Sequence, residues 1–232
     1  MREEGPTRKK MRYFKIPLYR NFVWKVRGYS RSDDTCQWCL RSKIRVWHSP
    51  SMLALKRLIL IHKPDFIFVV EPWMNYDAFP STWLHRLGFK SFSFNERRNL
   101  LPNLCCICAL NINPIVIDFD EQQVTCSITV NCTVVFLTAI YASTNYLIRK
   151  DLWHKLSILQ AQHTAPWSFI GDFNVIMGAR EHLGNISPAR PPIRDFQQWT
   201  YMHDLIHLPT RGANYTWDNR RLGRRHTKRR LD

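Results

Sequence analysis

Four polar residues of this chain close apolar runs of strand length. "DFIFVV" (65–70) stops at Glu71-Pro72, and "TVVFLTAIY" (133–141) stops at Tyr141. "WSFI" (167–170) breaks at Gly171 into Asp172 and, two residues on, Asn174. A carboxylate or amide at the end of a buried strand is costly unless it is hydrogen-bonded or binds something. Glu and Asp suit a hard cation such as Mg²⁺, which takes few protein carboxylates and fills its other positions with water and phosphate oxygens. Asn donates to a developing oxyanion, and Tyr offers a hydroxyl to a phosphate oxygen. Asp172 is of the type that accepts a proton from an attacking water. Together these make a set for metal-assisted hydrolysis. The plain alternative is that strand ends carry polar residues simply on leaving the core.

The elements that must carry these groups are legible in part. "NFVWKVRG" (21–28) reads as a short strand turning at Gly28, and 29–48 shows no clear period. Ser49-Pro50 opens a helix with an N-cap and a first-turn proline. Met52, Leu55, Leu58 and Ile59 then recur at helical spacing. The unbroken apolar run 65–70 implies a strand buried on both faces. The segment 105–142 is strand-like throughout. In it Val124, Cys126, Ile128 and Val130 alternate with Thr125, Ser127 and Thr129 as a half-buried strand, Asn131 and Cys132 turn the chain, and 133–141 returns. Helices are predicted over 147–160 and 195–205, and a turn-flanked strand at "NYTWDN" (214–219). Strands mixed with helices in this way predict an α/β sandwich.

The 232 residues carry a net charge of +16, unevenly spread. Residues 1–50 hold 13 Lys/Arg against 4 Asp/Glu and residues 210–232 hold 8 against 2, leaving a near-neutral body of 13 against 12. A neutral body with basic ends suggests a polyanionic partner. No window approaches the roughly 20 apolar residues of a membrane span, and the start lacks the apolar run of a signal peptide. An intracellular chain with reduced cysteines is expected. Cys36 and Cys39 are half of a zinc pattern, whereas a closed structural site needs four ligands.

"FVVEPWM", "AIYASTNYLIRKDLW", "GDFNVIMGAREHLG" and "PTRGANYTWDNRRLGRRHTKRRLD", in that order, resemble the endonuclease/exonuclease/phosphatase family. The resemblance is strongest to the apurinic-type endonuclease domain of plant non-LTR (LINE-type) retrotransposons. It covers about residues 49–232, with "WKVRG" near the start. It implies a four-layer α/β sandwich, two mixed β-sheets packed face to face with helices outside. It implies a domain over 21–232 with an insertion at 29–48, preceded by a basic tail over 1–20. It further implies Glu71 as ligand to Mg²⁺ (or Mn²⁺), Tyr141 as contact to the scissile phosphate, and Asp172 as the residue that orients or deprotonates water. The resemblance likewise implies that Asn174 helps fix the phosphate and that Asp232 is the acid of "RLD". Arg149 and the basic run with Arg220, Arg221, Arg224 and Arg225 are the candidate contacts to DNA. The implied partners are DNA and, in a longer polyprotein, a reverse transcriptase, with no membrane and a nuclear location.

The chain departs from the family pattern in two places. The family's Trp-Asn-x-Arg-Gly reads "WKVRG", with Lys25 at the Asn position. An ammonium facing a divalent cation there costs on the order of several kcal/mol even at an effective dielectric of 20. The family's closing Ser-Asp-His strand is not matched, since none of the nine His follows Ser-Asp. These departures imply a degenerate or truncated copy of a Mg²⁺-dependent DNA endonuclease. The alternatives are a catalytically inactive relic that at most binds nucleic acid and a phosphoinositide or sphingomyelin hydrolase of the same family. The unmodified chain is expected to nick supercoiled plasmid little or not at all.

Overall fold

The computed structural model describes residues 22–23, 49–72, 74–95, 97, 100–130, 132–207 and 214–231. The expectations for the tail 1–20, the insertion 29–48, Lys25, the Cys36/Cys39 pair and Asp232 lie outside them.

Two four-stranded sheets form the centre. The first has the order β1-β2-β4-β3, from β1 (Phe22–Val23), β2 (Phe66–Val70), β3 (Phe89–Phe94) and β4 (Leu104–Ala109). The second has the order β5-β6-β7-β8, from β5 (Ile115–Phe119), β6 (Gln123–Val130), β7 (Thr133–Tyr141) and β8 (Trp167–Asp172). Both are mixed: β1 pairs with β2 and β7 with β8 in parallel, and the other neighbours are antiparallel.

Alternation along the strands builds the layers. Phe66, Phe68 and Val70 of β2 and Leu104, Cys106 and Cys108 of β4 face Val124, Cys126, Leu137, Ala139 and Ile170 of the second sheet. The intervening residues Ile67, Val69, Cys105 and Ile107 point outward under Leu55 and Ile59 of α1 (Ser49–His62) and Leu84 of α2 (Ser81–Arg86). On the far side, Leu152, Trp153 and Leu156 of α3 (Tyr146–Gln162) pack with Phe196 and Trp199 of α4 (Arg190–Met202) over Ile140. The result is helices, sheet, sheet, helices, the four-layer sandwich that the resemblance implied. The unalternating run of β2 is explained by it, because helices cover one face and the second sheet the other.

Two expectations change in detail. Alternation predicts Thr125 on the open side of a half-buried strand, but it is fully buried. Its hydroxyl lies 2.9 Å from that of Thr138 and donates to Gln123 Oε1 at 2.7 Å, so hydrogen bonds make burial of this polar face tolerable. Helix α4 runs 190–202 rather than 195–205, because Pro191 and Pro192 occupy its first turn, where a missing N–H costs nothing. A small third sheet, β10-β11-β9, is made of β9 (His182–Gly184), β10 (Trp217–Asp218) and β11 (Thr227–Arg229). The described cysteines Cys105, Cys106, Cys108, Cys126 and Cys132 are free thiols. Burial pushes Cys126 up to about 12 and Cys108 to about 11, so these thiols act as small core residues. Among the described residues no helix is long and apolar enough to cross a membrane.

Candidate active site

Strands β2, β7 and β8 deliver their last residues to one end of the sandwich. Glu71 follows β2 with φ of 54°, a left-handed conformation rare outside glycine and asparagine. Its N–H donates to Asn103 O at 2.8 Å, which holds the turn and aims the side chain across the sheet interface. There the Tyr141 hydroxyl, at the end of β7, donates to Glu71 Oε1. Backbone strain of this kind, about 1–3 kcal/mol, persists only where the surroundings enforce it, and it concentrates at functional sites.

Parallel pairing of β7 with β8 sets Tyr141 directly opposite Asp172. Asp172 is 1% exposed and accepts from the Asn174 N–H at 3.1 Å through Oδ1. Asn174, with φ of 50°, folds back so that its Nδ2 donates to Ala142 O at 2.6 Å. The Ala142 N–H in turn donates to Asp172 O at 2.8 Å. The strand end is thus stitched to its neighbour by the residues expected to do chemistry. Gly171 makes the approach possible: a Cβ there would lie 1.9 Å from Ile140 O, and its φ is 140°. All four sequence-derived positions, Glu71, Tyr141, Asp172 and Asn174, therefore meet.

As a candidate DNA contact or a surface cation at a helix start, Arg149 should be exposed, and the structure buries it instead. It is 4% exposed, and its Nη1 donates to Ser143 O at 2.7 Å. Burial lowers the affinity of the guanidinium for its proton, partly offset by Tyr146 and Asp172 nearby. Its amphipathic stem lets it run beneath the start of α3, where its charge complements Asp172. Arg220, Arg221, Arg224 and Arg225 do lie exposed, in the loop joining β10 to β11. That hairpin is anchored beside the site, because Leu231 O accepts from the Phe173 N–H at 2.9 Å.

Sequence reasoning missed Gln122. Its carbonyl accepts from the Tyr141 N–H at 2.8 Å, and its Oε1 accepts from the Ser143 N–H at 2.7 Å. It holds the segment between Tyr141 and α3, but in "DEQQV" it is one turn amide among several. Among the described residues no group of three or more His, Cys, Asp or Glu side chains is placed to hold a metal ion.

No protein-family model and no curated protein sequence matches the chain. Solved structures do. The endonuclease domain of TRAS1, a telomere-specific non-LTR retrotransposon, superposes with a TM-score of 0.61 at 15% identity, over 83% of this chain and 78% of that one. An AP endonuclease from Archaeoglobus fulgidus gives 0.52 at 14% identity, over 66% of this chain and 65% of that one. The 3′ phosphatase NExo from Neisseria, in a variant form bound to product DNA hairpin, gives 0.51 at 15% identity, over 78% of this chain and 82% of that one. The chain spans just under two thirds of the archaeal enzyme. With its layers, its strand order and these three likenesses, the chain has the endonuclease/exonuclease/phosphatase fold.

Proposed function

We propose that this chain is a degenerate copy of a phosphodiester hydrolase acting on DNA, a Mg²⁺-dependent endonuclease of the non-LTR retrotransposon type. The observation that carries the reading is the meeting of Glu71, Tyr141, Asp172 and Asn174 at one end of this fold. Phosphodiester cleavage is mostly positioning and charge stabilisation, and groups mounted on strand ends are held more rigidly than groups on loops. Asp172, next to the Arg149 charge, orients the attacking water and takes its proton. The Asn174 Nδ2 offers a non-bridging phosphate oxygen its second N–H beside the one given to Ala142 O, and the Tyr141 hydroxyl, held at the site by Glu71, turns its one proton to such an oxygen when the phosphate binds.

Glu71 fits a Mg²⁺ ion in type, since that ion binds through one or two carboxylates and keeps several waters. When bound, such an ion supplies positive charge to the reacting phosphate. Arg220, Arg221, Arg224 and Arg225 neutralise backbone phosphates beside the site. The resemblance assigns Asp232 as a further acid of this chemistry, and the reverse transcriptase of the same element is the fitting companion. For such an enzyme the working compartment is the nucleus.

A second reading, a catalytically silent nucleic-acid binder, is favoured by one observation, Lys25 where the family pattern has Asn. Nicking of supercoiled plasmid with Mg²⁺ separates the two. A chain carrying Lys25→Asn and an appended Ser-Asp-His strand is expected to nick, and Asp172→Ala is expected to lower that rate by about 10²–10⁴-fold. Silence of that restored chain would leave only the binder.

A further inference from the structure

Asn95 looks like an ordinary loop residue of "SFSFNERRNLLPN", yet it is 1% exposed and every hydrogen-bonding position of its side chain is used. Its Oδ1 accepts from the Asn103 N–H at 3.1 Å and from the Leu104 N–H at 2.9 Å. Its Nδ2 donates to Glu121 O at 2.9 Å and to Asn103 Oδ1. Two backbone donors on Oδ1 fix which end of the amide is which. The partners belong to different sheets: Asn103 and Leu104 enter β4 of the first, and Glu121 lies in the turn joining β5 to β6 of the second.

These partners are neighbours of the mounts of the site. Asn103 O accepts from the Glu71 N–H and fixes the left-handed turn of that residue. Gln122, directly after Glu121, accepts from the Tyr141 N–H. A closed ring results, from Glu71 through Asn103, Asn95, Glu121-Gln122 and Tyr141 back to Glu71 by the hydroxyl–carboxylate bond. Apolar packing holds the two sheets together but is non-directional, so it sets their spacing loosely at an open end. A fully satisfied buried amide is directional and costly to leave half-made.

We propose that Asn95 is a positioning residue. It locks the two sheets in register at the site end and so fixes the Glu71–Tyr141 contact on which the hydrolase reading rests. Asn95→Asp keeps the acceptor contacts to Asn103 and Leu104 and removes both donors. Asn103→Ser is a milder variant, since it removes the Oδ1 contact and the long 3.4 Å bond from Asn103 Nδ2 to Glu121 O but leaves the other three bonds of Asn95. The readout is the ¹³Cζ resonance of Tyr141, identified by its loss in Tyr141→Phe, with Glu71→Ala marking the broken contact. Asn95→Asp is expected to move that resonance toward the Glu71→Ala position, and Asn103→Ser to move it less. The resonances of Tyr146 and Tyr201, on α3 and α4, are expected to stay. In the nicking-competent chain, kcat is expected to fall about a hundredfold, the scale of a misplacement of about 1 Å, with KM unchanged.

An unmoved Tyr141 resonance in folded Asn95→Asp would overturn the proposal. So would a displacement of all the tyrosines together, which is general loosening, or a moved resonance with kcat intact. A moved Tyr141 resonance, with no nicking by the chain carrying Lys25→Asn and the Ser-Asp-His strand, would uphold the positioning role and sink the hydrolase reading instead.

Discussion

At the scale of single residues, the site is built by exceptions to ordinary backbone behaviour. Glu71 and Asn174 both adopt positive φ, and Gly171 between Ile170 and Asp172 occupies a conformation that a side chain cannot enter without meeting Ile140 O. The glycine of "GDFN" is therefore there for packing, while its neighbours are there for chemistry. Gly171→Ala is expected to destabilise the fold by more than about 3 kcal/mol, combining positive-φ backbone strain with a clash against main chain that has no flexible end to yield. Urea unfolding measures it. A loss below about 1 kcal/mol would mean that β7 and β8 separate easily and that the Tyr141–Asp172 register is soft.

At the scale of elements, strand identity was legible because β2, β7 and β8 are apolar runs bounded by turns. The convergence of their ends followed once a sandwich was assumed. What the sequence hid was local and polar. Thr125 looks solvent-facing by alternation, and only a tertiary neighbour such as Thr138 explains its burial. Arg149 looks like a surface cation at a helix start, and Asn95 like a loop residue. Both are buried with hydrogen bonds made mostly to backbone carbonyls or N–H groups, which carry no sequence signature.

The hairpin of β10 and β11 makes a pH prediction. Burial alone raises the Asp218 carboxyl, but the Arg220 N–H, the His226 hydrogen bond and the charges of His226 and Lys228 outweigh it and hold the group below its ordinary 3.8. A carboxyl depressed in the folded state contributes stability that is complete above its unfolded value and is lost as pH falls through the folded one. The hairpin is expected to weaken below about pH 4, by no more than about 1 kcal/mol because the pair is partly exposed. Asp218→Ala should remove that acid step from the unfolding midpoint; an unchanged step would assign it to other carboxyls.

At the scale of the whole molecule, charge and site have to work together. The body is nearly neutral, and the basic residues gather toward the ends of the sequence, including the exposed β10–β11 loop. Binding to DNA is expected to be salt-sensitive and weakly selective in sequence, with each neutralised phosphate adding about −0.9 to the slope of log K against log salt. Replacing Arg220, Arg221, Arg224 and Arg225 with Ala should flatten the slope, and an unchanged slope would move the DNA surface elsewhere.

The central claim is that residues about a hundred positions apart, Glu71 and Asp172, form one site and act as a unit. Groups that act as a unit show strongly non-additive losses. The direct measurement is a double-mutant cycle on plasmid nicking by the Lys25→Asn chain with its Ser-Asp-His strand, using Glu71→Ala, Asp172→Ala and both. Each single change is expected to lower the rate by about 10²–10⁴-fold, the range for loss of a proton-transferring or charge-stabilising group. The double variant should be little worse than the worse single one. Losses that multiply, or a Glu71→Ala chain that nicks at full rate, would contradict the account.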